Sequence, residues 1–387
     1  MHARLAAAKD ILASLVAFDT TSAKTNIPMA EWVRDYLARH GIAATLIPAA
    51  DGIHVSLFAT LGDAGKPGIG LSGHMDVVPV TGQPWDTDPF RVVERDGRLY
   101  GRGTADMKGF VACVLAMVPE FAARRLATPL HIVLSYNEEV GCIGVRDIIA
   151  EFGGTLPKPS MVLVGEPTSM QVVDAHKGGY RFRTTITGKD AHTAKPQLGV
   201  NAIFVAGQLM AELQRLEARQ KARHIDPRFD PPYSSVAVML IEGGIATNII
   251  PPNCSFFWGV RALPGFDGLT LGAEFDRFAQ TEVLPAMRAV HPEASIVTEL
   301  TSALPAFSTA SDGRAASFAL QIAGQNETFA VSYGTEASQF QLADIPSVII
   351  GPGDISQAHR PNEFIEIAEL DRCLAFLARV GDAAAAG

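Results

Sequence analysis

Ile69-Gly70-Leu71-Ser72-Gly73-His74-Met75-Asp76 decides how this chain is read. Ile69 to Ser72, a short apolar run bounded by glycine, has the pattern of a strand buried on both faces, and here it leads into an imidazole and a carboxylate. Three more runs repeat it: Ile132 to Tyr136, Met161 to Val164 and Ser347 to Ile350. Glu138 and Glu139 follow the first of these, Glu166 the second, and His359 lies beyond the third, after Gly351-Pro352-Gly353. In open α/β sheets the ligand crevice lies outside the carboxyl ends of the strands, so segments far apart in sequence converge there. Asp106 arrives by another route. It precedes Val111, Val114, Leu115 and Val118 at helical spacing, so the turn Gly103-Thr104-Ala105-Asp106-Met107-Lys108-Gly109 delivers its carboxylate at a helix start.

The middle of the chain changes period. Tyr180, Phe182 and Ile186 alternate with Arg181, Arg183 and Thr187, as in a strand with one wet face. A helical stripe follows through Ile203, Ala206, Leu209, Met210, Leu213 and Leu216. Strands are expected around 235–241 and 254–261, then a helix from about Leu269 that Pro285 kinks or ends, then a strand near 295–300. The order βαββαβ is that of a ferredoxin-like domain. The expectation is an α/β domain in two parts, 1–179 and 301–387, with the smaller domain 180–300 inserted between them. A chain of 387 residues exceeds what one core supports, which fits two domains.

Composition removes several function classes. With 32 basic and 41 acidic residues the formal charge is -9, and no basic run interrupts it, which argues against a nucleic-acid partner. The amino terminus carries Lys9 and Asp10 within its apolar stretch and suits neither a signal peptide nor a membrane span, so a cytoplasmic protein is expected. Cys113, Cys142, Cys254 and Cys373 form no CxxC pair and read as reduced core residues. The string Gly101-Arg102-Gly103 lacks the third glycine of a dinucleotide fingerprint, and no P-loop or GxSxG elbow occurs.

What remains is metal chemistry. Taken singly, His74 reads as a core histidine, Asp106 as a helix cap, Glu138 and Glu139 as a solvated turn, and Glu166 and His359 as loop residues. Together they are imidazoles and carboxylates at strand ends and a helix start, the donor set of a divalent transition metal. Asp76 stands where its carboxylate can take the second N–H of His74 and fix its tautomer. Two adjacent carboxylates, Glu138 and Glu139, can divide the work of metal ligand and proton acceptor.

These strings, with Gly165-Glu166-Pro167-Thr168, Gly188-Lys189-Asp190-Ala191-His192-Thr193-Ala194 and Gln357-Ala358-His359-Arg360-Pro361-Asn362-Glu363, resemble the zinc-dependent deacylases and exopeptidases, whose members include acetylornithine deacetylase, succinyl-diaminopimelate desuccinylase, aminoacylases and carboxypeptidase G. The resemblance runs over nearly the whole chain. It implies a mixed-sheet metallopeptidase-type catalytic domain whose ferredoxin-like insert serves as lid and dimerisation domain, making a homodimer. It implies two divalent metal ions, Zn2+ with Co2+ or Mn2+ as alternatives: Asp106 bridges, His74 and Glu166 complete one site, and Glu139 and His359 the other. Asp76, Glu138 and His192 carry over as catalytic residues: Asp76 orients His74, Glu138 is the general base and later the acid, and His192 reaches the partner's site to hold the oxyanion. Asn248 and Arg261 match positions that bind the polar groups of an acyl-amino-acid substrate. Tyr333-Gly334-Thr335-Glu336-Ala337-Ser338 resembles the acetylornithine-cleaving branch. That branch implies release of acetate and L-ornithine from Nα-acetyl-L-ornithine, a step of arginine biosynthesis.

Arg261 is expected to anchor a carboxylate through its bidentate fork, and charge complementarity assigns Glu336 to a substrate ammonium. Two rivals stand beside this reading. One is succinyl-diaminopimelate desuccinylase or another deacylase or dipeptidase on the same scaffold, which substrate kinetics separates. The other is a metal-binding paralogue without turnover, against which the retained Glu138 and His192 argue.

Overall fold

The computed structural model describes residues 2–310 and 313–386. The chain forms two compact units, one of residues 1–175, 308–329 and 335–387, the other of 176–307 and 330–334.

In the first unit the strand order is Ala44–Pro48, Val55–Leu61, Leu130–Ser135, Ile69–His74, Met161–Val164, Ser347–Ile349 and Val173–His176. The four strands expected from the apolar runs lie together in the middle and are mutually parallel. Antiparallel pairs flank them, which makes the sheet mixed. Every residue of Ile69–His74, Leu130–Ser135 and Met161–Val164 is buried, which is why these segments read as mostly apolar runs and not as alternation. The Lys108–Ala122 helix is buried almost all round, packing Val111, Leu115 and Val118 into the core with Leu370, Leu374 and Leu377 of the Ile367–Ala386 helix. Gly165 is needed where it stands. A Cβ there would fall inside the Phe110 ring, so only glycine lets the strand leading to Glu166 close on that helix.

The second unit has the expected order Gly178–Thr187, Ala202–Arg223, Ser235–Gly243, Asn253–Ala262, then helices, then Ser295–Leu304. Its four strands are all antiparallel, with Ser235–Gly243 and Ser295–Leu304 at the edges. That is the split-βαβ topology. One boundary differs from the sequence reading, and Pro285 interrupts its helix without ending it. The insert runs to residue 307 and starts at 176, because the last strand continues to Leu304 and pairs with Gly179 of the first. The chain takes a π turn over Ala279–Val283 and Pro285 falls in the first turn of Leu284–Val290, where its missing N–H is not needed. Phe182 stacks on Trp258 at the centre of this unit, and Phe275 packs against both Trp258 and Phe256.

All four cysteines are free and buried. Among the described residues no helix is long and apolar enough to cross a membrane.

Candidate metal centre

The carboxyl ends of the parallel strands carry the cluster, all of it within the first unit. His74 is the last residue of its strand and is fully buried. Its Nε2 stands 3.1 Å from Asp106 Oδ1 and 3.8 Å from Glu166 Oε1. Asp106 offers its other oxygen to the second imidazole: His359 Nε2 lies 3.2 Å from Asp106 Oδ2 and 2.9 Å from Glu139 Oε2. One carboxylate thus faces two histidines, each beside a further glutamate. Ligand atoms of His74, Asp106 and Glu139 lie within 4.8 Å of one another, as do those of His74, Glu138 and Glu166.

Local backbone explains the placement. Asp106 lies two residues ahead of the Lys108–Ala122 helix, whose N-cap position is Met107, so its side chain is free of any capping duty. Asn137 (φ 52°) turns the chain out of its strand so that Glu138 and Glu139 follow in the crevice, and His359 (φ 64°) is likewise left-handed, a conformation uncommon for residues with a Cβ.

The electrostatics are those of a site built for cations. Burial alone would lower the His74 pKa, but hydrogen bonding to Asp106 and the charge of Glu166 raise it well above the ordinary histidine value. Hydrogen bonds to Asp106 and Glu139 push His359 to about 10. Burial, with the charge of Asp106 and Glu138, drives Glu166 far up. Glu138 rises to about 8 through burial and the neighbouring Glu139, and Glu139 to about 7 through burial and Asp106. Burial opposes ionisation of Asp106 too, yet its two imidazole partners hold it well below the usual carboxylate range. Four carboxylates crowded at one point keep protons or take up positive charge, and two imidazoles do not neutralise them. Nitrogen and oxygen donors at this spacing fit divalent ions of the zinc type.

Two sequence expectations are corrected here. The His74 Nδ1 partner is the backbone carbonyl of Asp76, at 2.9 Å, while the Asp76 carboxylate stands 3.6 Å off. That carboxylate instead accepts from Ser22 Oγ (2.7 Å) and from the backbone N–H groups of Glu138 (3.0 Å) and Glu139 (3.3 Å). Asp76 therefore shapes the turn that carries the glutamates. Glu336 has both oxygens committed within the protein: it is fully buried, and they accept from Ser72 Oγ (2.5 Å) and Ser135 Oγ (2.7 Å), one from each of two adjacent parallel strands.

His192, Asn248 and Arg261 belong to the second unit. His192 and Asn248 are neighbours, since Thr193 N donates to Asn248 O at 3.2 Å and His192 bridges Ile249. The exposed His192 accepts from Ala194 N at Nδ1 (3.0 Å), which leaves its proton on Nε2. Arg261, also exposed, lies opposite Gly179 on the Asn253–Ala262 strand. Two partners escaped the sequence reading. Ser22 lies 54 residues before Asp76. Cys142 Sγ donates to Glu138 Oε1 at 3.1 Å, and nothing in its spacing marks that role.

A family model described as peptidase family M20/M25/M40 matches residues 70–382. Acetylornithine deacetylase of Myxococcus xanthus is 36% identical over 386 residues, covering 98% of each chain. That of Proteus mirabilis is 34% identical over 360 residues, covering 92% of this chain and 90% of its own. Among solved structures, a metallo-carboxypeptidase of family M20 from Sulfolobus solfataricus superposes with a TM-score of 0.79 at 17% identity, covering 98% of this chain and 99% of that one. The chain belongs to peptidase family M20/M25/M40.

Proposed function

We propose that this protein is a metal-dependent deacetylase that hydrolyses Nα-acetyl-L-ornithine to L-ornithine and acetate with a pair of zinc-type ions, working in the cytosol as a homodimer. The observation that carries the reading is one carboxylate, Asp106, presenting an oxygen to each of two histidines, with Glu138 at the edge of the same cluster. Similarity to the acetylornithine deacetylases over nearly the whole chain supports the substrate.

His74, Asp106 and Glu166 would hold one ion, and Asp106, Glu139 and His359 the other. When bound, such ions polarise an amide carbonyl and make water acidic enough to attack near neutral pH. Glu138 takes the proton from the attacking water and passes it to the leaving amine. Its environment suits both tasks: burial and the charge of Glu139 favour its protonated form, and a nearby cation would favour the carboxylate. Cys142 holds one Glu138 oxygen in place, and Asp76 fixes the backbone from which it projects. The N–H at His192 Nε2 is the right kind of donor for an oxyanion, and Arg261 offers a fork for the substrate carboxylate.

The dimer reading rests on the second unit's outer strand. Along Ser235–Gly243, Val238, Met239, Leu240 and Ile241 are all exposed, Leu240 to 63%, and Phe204 on the Ala202–Arg223 helix is exposed to 75%. An apolar edge strand left open pairs with another chain, and a second copy supplies the same edge about a two-fold axis.

The test is a substrate panel with metal-loaded protein: Nα-acetyl-L-ornithine, succinyl-diaminopimelate and acetyl-methionine, following amine release. Acetylornithine is expected to give the highest kcat/KM, and Glu138→Ala to lower kcat by about 10²–10⁴-fold. Preference for another member of the panel would reject the substrate but keep the hydrolase.

A further inference from the structure

The ligand Asp106 lies in an irregular turn whose backbone N–H groups have no helix or strand to pair with, and such buried donors must be satisfied somehow. A single side chain does it for three of them. Glu363, 1% exposed, accepts at Oε2 from Gly103 N (3.0 Å) and at Oε1 from Ala105 N (2.9 Å) and Asp106 N (3.1 Å). The buried guanidinium of Arg102 adds Nη1 to Oε2 at 2.7 Å, and the backbone carbonyl of Glu363 accepts from Gly101 N. Four of the six backbone N–H groups of the segment 101–106 thus end on one residue from the far end of the chain, while Arg102 N donates to Pro89 O and Thr104 N to Gly101 O.

That residue sits four positions after His359. The two segments are laced further: Arg102 Nη1 reaches Arg360 O at 3.3 Å, Arg102 Nη2 reaches Gln83 Oε1 at 2.6 Å, and Gln83 Nε2 donates to His359 O at 2.9 Å. The carboxylate of Asp106 and the imidazole of His359, which face each other across 3.2 Å, are therefore held by one buried network with Glu363 at its centre. Metal sites tolerate ligand displacements of only a few tenths of an ångström.

We propose that Glu363 is the positioning residue of the metal centre, fixing Asp106 against His359 so that both are in place before an ion arrives. The inference rests on the metal-centre reading above. A carboxylate is required because all four side-chain partners are donors. A glutamine would turn an NH2 group towards at least one of them and leave donors facing donors.

Two readouts test it without any assay of turnover. Competition with a chelator should show Zn2+ held about 10–100-fold more weakly by Glu363→Gln than by the natural protein. Hydrogen exchange on the metal-free proteins should show faster exchange at Gly103, Ala105 and Asp106 in the variant, with the Leu130–Ser135 strand still protected. Should Glu363→Gln fail to fold, Arg102→Lys, which removes the contacts to Gln83 and Arg360 but keeps a cation beside Glu363, should give the same pattern at several-fold. Natural protein that binds zinc while a folded variant binds it equally well, with 101–106 unchanged in exchange, overturns the inference alone. Natural protein that binds no zinc overturns the metal-centre reading and takes the inference with it.

Discussion

Asp76 separates two ways of supporting a metal site. If its carboxylate served His74, Asp76→Ala would weaken metal binding and recover activity at saturating ion. The observed bonds run instead to Ser22 and to the N–H groups of Glu138 and Glu139. The expected outcome is therefore a loss of kcat, about 10-fold or more, that added zinc does not restore, with Ser22→Ala giving a smaller loss in the same direction. Glu336 yields the opposite expectation. With both oxygens committed to Ser72 and Ser135, Glu336→Gln should leave the preference for ornithine over neutral amino acids unchanged and cost about 1–3 kcal/mol of stability, read from denaturant unfolding. The protons of the cluster make a third prediction. Ions displace protons from Glu139, Glu138 and His359, whose metal-free pKa values are about 7, 8 and 10. Apparent zinc affinity should climb as pH rises from 7 towards 10, and fall below 7 as these groups hold their protons.

At the level of elements, the parallel strands were legible because total burial leaves few polar residues in them, and most residues of the cluster were legible because they follow those strands. Met161–Val164 matches the expected run residue for residue, and the other three differ by a residue or two at their ends. What was not legible is side-chain pairing across long separations. Charge complementarity alone assigns Glu336 to a substrate ammonium, and only the fold brings it against Ser72, 264 residues away. The extent of the final strand of the insert was missed because Ser302 and Ala303 follow a register shift at Leu300 to Ser302, which breaks the alternation that marks a strand. Leu130–Ser135 carries one titratable side chain that reports on folding. His131 is fully buried against Phe58, bonded to Thr60, and burial lowers its pKa to about 4. The unfolded chain binds this proton more readily, so the neutral histidine's stabilisation is present above about pH 6.5 and is lost as pH falls towards 4. The shift corresponds to about 3 kcal/mol. Unfolding free energy measured across that range should slope less steeply in His131→Gln. A methyl group at Gly165 strikes Phe110, so Gly165→Ala should lower stability and zinc affinity together.

For the molecule as a whole, the open edge along Val238 to Ile241 predicts association. Sedimentation at micromolar concentration should show a dimer, and Leu240→Lys, which puts a charge on an edge already exposed, should give a monomer that keeps its fold. The central claim is that the strand ends of the first unit form a two-ion hydrolytic centre. Chelated protein titrated with zinc, with acetate release from Nα-acetyl-L-ornithine followed at each addition, tests it most directly. The account predicts an inactive starting point, activity that reaches its plateau by two equivalents per chain, and no comparable rise in Glu138→Ala. Full activity in the chelated protein, or two tightly bound ions with no hydrolysis of this or any related acyl-amino acid, would contradict it.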